Sequence, residues 1–420
     1  MKNINLLFDA SVIFQYIHLK GSGRSGIFWA AYNILYHLSL NPLFQITLLV
    51  PFNLFSFNKR KIPGFKSSFH TIKVFNIRKY EINIEENKSY IKHCKNIFIL
   101  LIKYLKLLKN FTLLLFSKII PIAHKDFDLF ITPSFSMIDV NKYFNIKKIQ
   151  ILHDCIPFIS NNNSPWFTKI IDDLNKETYY FCNSSCTKSD FLKFFPEKLD
   201  ESKLFIIPHA SSRTFFPNYD KSILQKTLKK YGITYNQNDN YIFSLCSIDP
   251  RKNLIFTIKC FIKFIKKHEI KNLYFYMGGG YFKNYIEQFK QEISNFNEYN
   301  KKIILLGYID DDDVNILYSN SLFFTFLSQY EGFGVPPLEA MQAGTPVICS
   351  NNSSLPEVVG DASVTIAYDD EISCIKTFED LYFNEPLRNH YIEKGIERVK
   401  LFSWKKTVNK MTEVITSIVS

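Results

Sequence analysis

Apolar residues recur along this chain in two rhythms. Short runs at 4–8, 44–50, 128–132, 149–152 and 204–207, and again at 241–245, 273–277, 303–306, 322–327 and 347–349, have the length and the β-branched and aromatic content of buried strands. Between them the spacing turns helical, as over 28–40 and at Leu254, Ile255, Ile258, Phe261, Ile262 and Ile265. Strand and helix alternate in both halves, which predicts an α/β chain with parallel sheets. At 420 residues the chain is too long for one ordinary core and long enough for two domains of about 200 residues each. The expected division is 1–215 and 216–403, with a hinge between 208 and 240 and a closing helix over 404–420.

The segment 331–339, Glu-Gly-Phe-Gly-Val-Pro-Pro-Leu-Glu, sets two carboxylates around a glycine turn and a double proline. The run 322–327 ends just before Glu331. Gly332 and Gly334 let the backbone turn sharply, and Pro336 and Pro337 suit the first turn of a helix that runs to Gly344. A helix start presents free N–H groups and partial positive charge, which favour phosphate. Glu331 at the strand end and Glu339 about one turn into the helix can face one crevice outside the carboxyl edge of the sheet. There they can accept hydrogen bonds from the hydroxyls of a sugar and a ribose. The plainer alternative leaves Glu331 a loop charge and Glu339 a first-turn acid that complements the helix dipole.

A second cluster, Cys246-Ser-Ile-Asp-Pro-Arg-Lys-Asn-Leu254, follows the run 241–245 and opens the next helix. Arg251 and Lys252 offer a planar fork and a point charge, a combination that neutralises a diphosphate. An exposed basic turn is the alternative, but cations at a helix start oppose its dipole and call for an anion nearby. In the first half, Gly21, Gly23 and Gly26 interleave with Ser22, Arg24 and Ser25 ahead of the amphipathic stretch 28–40. Such a loop can receive phosphate or sugar, although its spacing is not that of the dinucleotide fingerprint. His153-Asp154 ends the run 149–152 with Pro157 beyond it, which suits a histidine reaching into a cleft or, more commonly, a structural one.

Composition adds three points. The eight cysteines are scattered in apolar contexts, and Cys182-Asn-Ser-Ser-Cys186 has no second pair to complete a zinc site, so reduced core residues are expected. The formal charge of +12 is concentrated in part over 92–125, where Lys103, Lys106 and Lys109 follow one helical side of a strongly apolar stretch. That stretch reads either as an amphipathic helix on an anionic membrane surface or as an ordinary first-domain helix; nothing reads as a nucleic-acid-binding fold. No run of about 18 apolar residues predicts a spanning helix or a secretory signal, so a cytoplasmic protein is expected. Asp310 to Asp313 reads as a helix-capping turn, with an Asp-x-Asp metal site as the sharper alternative.

The string from Glu331 to Glu339, continued by Ala-Met-Gln-Ala-Gly-Thr-Pro-Val-Ile348, resembles the glutamate-seven-residues-glutamate signature of the retaining family 4 glycosyltransferases. Residues 354–362, Ser-Leu-Pro-Glu-Val-Val-Gly-Asp-Ala, are similar to that family's next loop and helix, and Phe402-Ser403-Trp404 to the start of its closing helix. The strings Pro-Arg-Lys-Asn, His-Asp-Cys-Ile-Pro-Phe and 209–217 also resemble family segments, although Cys246 stands where some members place a further arginine. The resemblance implies the GT-B fold, two Rossmann-like domains with parallel sheets facing across a cleft and a last helix that crosses back to the first domain. It implies Glu331, His153, Arg251 and Lys252 as catalytic residues, and Gly23, Arg24, Gly26, Gly332, Phe333, Gly334, Val335 and Glu339 as donor-binding ones. The implied reaction moves a hexose or deoxyhexose, with retention, from a nucleoside-diphosphate sugar to a hydroxyl of a saccharide or lipid-linked saccharide in surface polysaccharide or lipopolysaccharide synthesis. It needs no metal or cofactor and places the protein in the cytoplasm or on the inner face of its membrane. The rival readings are a GT-B sugar-nucleotide epimerase and a non-catalytic sugar-nucleotide or membrane-surface binding protein.

Overall fold

The first half forms parallel strands β1 (Ile4–Asp9), β2 (Phe44–Pro51), β3 (His70–Val74), β4 (Leu129–Thr132), β5 (Lys147–Leu152), β6 (Tyr179–Cys182) and β7 (Leu204–Ile206), five of them from the expected apolar runs. They lie in one sheet in the order β3-β2-β1-β4-β5-β6-β7. The second half adds β8 (Asn240–Leu245), β9 (Leu273–Gly278), β10 (Ile303–Gly307), β11 (Phe324–Phe326), β12 (Val347–Ser350) and β13 (Val364–Ile366), ordered β10-β9-β8-β11-β12-β13. Every named pairing is parallel. This computed structural model describes residues 3–16, 26–51, 70–74, 127–134, 146–160, 165–211, 215–281 and 283–420. Gly21, Gly23, Arg24 and the basic apolar stretch over 92–125 lie outside the described residues.

In each sheet the strand order reverses once, between β1 and β4 and between β8 and β11. At such a point the helices leave on opposite faces and a crevice opens beyond the carboxyl ends of the strands. The first core joins β1, β4 and β5 to the helix Gly26–Ser39 through Leu6, Phe8, Ile131, Ile149, Phe28, Ile34 and Leu35. The same core takes Trp404, Val408, Met411, Ile415 and Ile418 from the last helix, Trp404–Val419, so that helix packs on the first sheet. Thr407 Oγ1 donates to Pro208 O at 2.7 Å and Trp404 Nε1 to Ser211 O at 2.8 Å, tying the helix to the chain leaving β7. The second sheet is covered by the helix Leu254–Lys267 on one face, through Ile258, Phe261 and Ile265, and by the helix Val335–Gln342 on the other, through Ala340 and Met341. Among the described residues seven cysteines are free thiols, five of them buried. Among the described residues no helix is long and apolar enough to cross a membrane.

Several local expectations change. Strands β3, β6 and β13 have no counterpart among the expected runs, and the run 322–327 is a regular strand only over Phe324–Phe326, although Leu322 N–H and Phe323 O also bond to β8 and Phe323 and Leu327 are buried. Arg251 and Lys252 do not open the helix that follows them. They occupy a separate 3-10 turn, Pro250–Lys252, whose first N–H groups are held by Asp249, and Asn253 at φ 57° breaks the path before Leu254. The cations therefore escape the dipole conflict expected of a first helical turn. Asp313, at the N-cap of the helix Val314–Ser319, makes no side-chain cap hydrogen bond. Asp310 and Asp313 instead bind Lys230 at 2.5 and 2.6 Å, and Asp313 also accepts from Tyr231.

Candidate active site

A cavity of about 680 Å³ lies where the carboxyl ends of the two sheets meet. Each wall is built by a turn that leaves a strand. Beyond β5 stand His153 and Asp154, beyond β8 Cys246, Ser247, Arg251 and Lys252, and beyond β11 the loop from Glu331 to Val335. Gly26, at the start of its helix, and Glu339, one turn into the helix Val335–Gln342, complete the set. Thus ten of the twelve residues expected from the sequence line one cavity; the other two, Gly23 and Arg24, lie outside the described residues.

Charge is concentrated on the second-sheet wall. Glu331 Oε1 lies 3.0 Å from Arg251 Nη1 and 2.5 Å from Lys252 Nζ. Burial works against the ionised form of Glu331, but Lys252 and Arg251 more than offset it and hold the carboxyl below its ordinary range. The Lys252 ammonium also sits 4.9 Å from the centre of the Phe326 ring. Arg251, Lys252 and Glu331 together carry one net positive charge, and the start of the helix Val335–Gln342 lines the same space, where Val335 keeps its N–H while Pro336 and Pro337 have none. Gly334, at φ 109°, makes the turn into that helix, and a Cβ there would meet Leu355 at 2.6 Å. Glu339 is buried and accepts from Tyr318 Oη at 3.4 Å.

On the facing wall, His153 Nε2 is 2.6 Å from Pro133 O. A carbonyl only accepts, so this nitrogen carries the proton and Nδ1 is left as an acceptor. Burial lowers the pKa of His153, against the pull of that carbonyl, and lowers that of His209 further, with His153 adding to the effect. Both imidazoles are neutral near pH 7. The ring of His209 packs between His153, Phe333 and Trp404, so the hinge segment, the glycine loop and the last helix meet on one side chain.

The two halves are joined beside the cavity by direct hydrogen bonds. Ser184 Oγ and Thr187 Oγ1 donate to Gly332 O at 2.7 and 3.2 Å. The backbone N–H groups of Ser185 and Cys186, at the start of the helix Ser185–Phe194, donate to the two carboxylate oxygens of Glu357 at 2.8 and 2.9 Å. Tyr330 Oη donates to Asp190. A carboxylate on a helix N-terminus satisfies two orphan N–H groups and complements the dipole. Hydrogen bonds to a charged group contribute about 1.5–3 kcal/mol each, so Glu357→Ala is expected to raise donor KM by about tenfold. Steady-state kinetics checks this, and an unchanged KM would remove Glu357 from the closure of the cleft.

Sequence reasoning passes over several lining residues. Asp154 and Asn183 follow neighbouring strands, and Gly279 and Gly280 belong to a run of three glycines that begins at the last residue of β9. That run is a legible signal. Gly279 has φ 128°, and a Cβ on it would stand 2.0 Å from Cys246 O, so the backbones of two turns touch there.

Residues 226–398 match the family described as Glycosyl transferases group 1. The matched segment holds the whole of the second sheet, β8 to β13. Among curated proteins it is 28% identical over 222 residues to O-antigen chain mannosyltransferase B of Escherichia coli, across 53% of this chain and 56% of that one. It is 25% identical over 285 residues to the serotype-specific mannosyltransferase WbdA of Escherichia coli, across 65% of this chain and 34% of that one. The chain thus spans about half the length, or less, of these two relatives. Among solved structures it is similar to Anabaena Alr3699/HepE in complex with UDP-glucose, with a TM-score of 0.68 at 12% identity over 99% of this chain and 100% of that one. The fold is GT-B, and the matched segment lies in its second half.

Proposed function

We propose that this chain is a retaining glycosyltransferase that moves a mannosyl or related hexosyl group from a nucleoside-diphosphate sugar to a hydroxyl of a saccharide during assembly of a surface polysaccharide. The observation that carries this reading is the convergence of Arg251, Lys252, Glu331 and Glu339 on one cavity between the two sheets. Its volume suits a ligand of this size, and the names of the curated relatives support mannose and O-antigen as the first sugar and product to test.

In this reading the diphosphate lies on Arg251, Lys252 and the start of the helix Val335–Gln342, and Glu339 accepts from the ribose. Glu331 steers the two cations while it binds the sugar. The acceptor oxygen bonds to the anomeric carbon on the face from which the diphosphate departs. The electron pair of the breaking C–O bond stays on the diphosphate, which also takes the acceptor proton. Arg251, Lys252 and the Val335 N–H stabilise the charge that develops there. His153 Nδ1 accepts from a hydroxyl of the transferred sugar.

Incubation with GDP-, UDP- and dTDP-sugars and saccharide acceptors, followed by mass and anomeric analysis, tests the function. Transfer with retained configuration supports it, and an inverted product overturns the mechanism. Isomerised donor alone would make the protein an epimerase, and binding without product a binding protein. Arg251→Ala and Lys252→Ala are each expected to weaken binding of the free nucleoside diphosphate by about tenfold or more, since each removes a charge-assisted contact. Titration calorimetry measures this, and parental affinity in both would move the diphosphate elsewhere. A lipid-linked acceptor at an anionic membrane surface is proposed from the lysines and apolar residues over 92–125. Vesicle pelleting should then rise with anionic lipid and fall with salt; negligible pelleting under all conditions would leave a soluble acceptor.

A further inference from the structure

Asp154 is, among the described residues, the one carboxylate that the first sheet brings to the cavity. It follows β5 directly, and its position is set from two sides. Its Oδ1 accepts from the N–H of Ile156 at 2.9 Å, and its Cβ lies 2.7 Å from where a Cβ on Gly332 would stand. The carboxyl is therefore held against the loop that carries Glu331. Its other oxygen has no hydrogen-bond partner among the described residues. The turn into the helix Ile156–Ile159 uses a single oxygen, so the local structure accounts for half of the carboxylate. Asn183 stands beside it at the end of the next strand and lines the same wall.

Apart from His153, the groups that would hold a donor, Arg251, Lys252, Glu331 and Glu339, come from the second sheet. Asp154 faces them from the first. A carboxylate oxygen open to a cavity accepts from a hydroxyl, and a site built to bind a hydroxyl rejects an analogue that lacks it. We propose that Asp154 binds a hydroxyl of the acceptor saccharide next to the one that attacks, and so selects the acceptor and sets which hydroxyl is presented. This rests on the function proposed above. The residue positions substrate and takes no part in the bonds that form and break.

Asp154→Asn tests the inference, because the amide oxygen can still accept from Ile156 N–H and preserve the turn. The expected result is a rise of about tenfold or more in acceptor KM, with nucleoside-diphosphate affinity and the slow hydrolysis of donor by water within about twofold of the parent. Deoxygenated acceptors should separate the variants further. The acceptor lacking the bound hydroxyl should be poor for the parent and no poorer for Asp154→Asn. An unchanged acceptor KM would reduce Asp154 to a turn residue and overturn the inference. Loss of nucleoside-diphosphate affinity or of donor hydrolysis would place it on the donor side and overturn it equally. A parent protein that binds no nucleoside diphosphate and transfers no sugar would instead sink the proposed function, and the inference with it.

Discussion

Glu331→Ala is expected to lower kcat by about 10²–10³-fold, the range seen when one preorganised electrostatic contact is removed from a closed site. The carboxylate is nearly buried and holds Arg251 and Lys252, so its loss takes the proposed contact from the sugar and also leaves two cations without their partner. Removing one member of a buried pair costs about 3–5 kcal/mol, so the denaturant midpoint should fall as well. The loop itself is held by its backbone. Glu331 N–H donates to Ser353 Oγ at 3.0 Å, and Ser354 Oγ donates to the carbonyls of Glu331 and Phe333 at 2.9 Å. Glu331→Gln keeps the side-chain shape and should separate lost charge from lost packing. Turnover at saturating donor within about threefold of the parent in both variants would show that Glu331 takes no part in the reaction.

Gly332→Ala should be nearly as damaging for a different reason. A Cβ there would stand 2.2 Å from His153 O, an approach that no real Cβ makes. Both sides of that contact are backbone and both are anchored: His153 O accepts from Thr187 Oγ1 at 3.2 Å, and Gly332 O from Ser184 and Thr187. With no flexible side chain to yield, the two sheets must move apart by about 1 Å, a displacement that can cost about 10²-fold in rate. The expected result is that loss in kcat/KM together with a larger radius of gyration by X-ray scattering. Parental values of both would mean that the closed contact is not needed for the reaction.

The segment 331–339 is legible in the amino-acid sequence because everything it needs is close along the chain. A buried strand ends, two glycines turn the chain, two prolines start a helix, and the carboxylates are placed by those local geometries. The same holds for the long apolar runs that form β1, β2, β5, β8, β9 and β10. Tyr179–Cys182 and Val364–Ile366 are too short to carry much periodic signal, and they become strands only by pairing with β5 and β12. The cluster ending at Leu254 reads as a turn opening straight into the helix, while Asn253 in the left-handed region separates Arg251 and Lys252 from it.

Hydrophobic periodicity and turn chemistry act over a few residues, so by itself the sequence determined an α/β chain, most of its strands and the loops that carry the candidate chemistry. Which loops face one another depends on contacts between residues far apart in the chain, and no local pattern encodes those. Tertiary structure alone paired Glu331 with two cations some 80 positions upstream. It also seated Glu357 on a helix N-terminus in the other half and brought Asp154 against Gly332. Those charges settle where burial removes water and only an opposite charge or an N–H group can replace it, and that condition arises only when the two sheets close on each other.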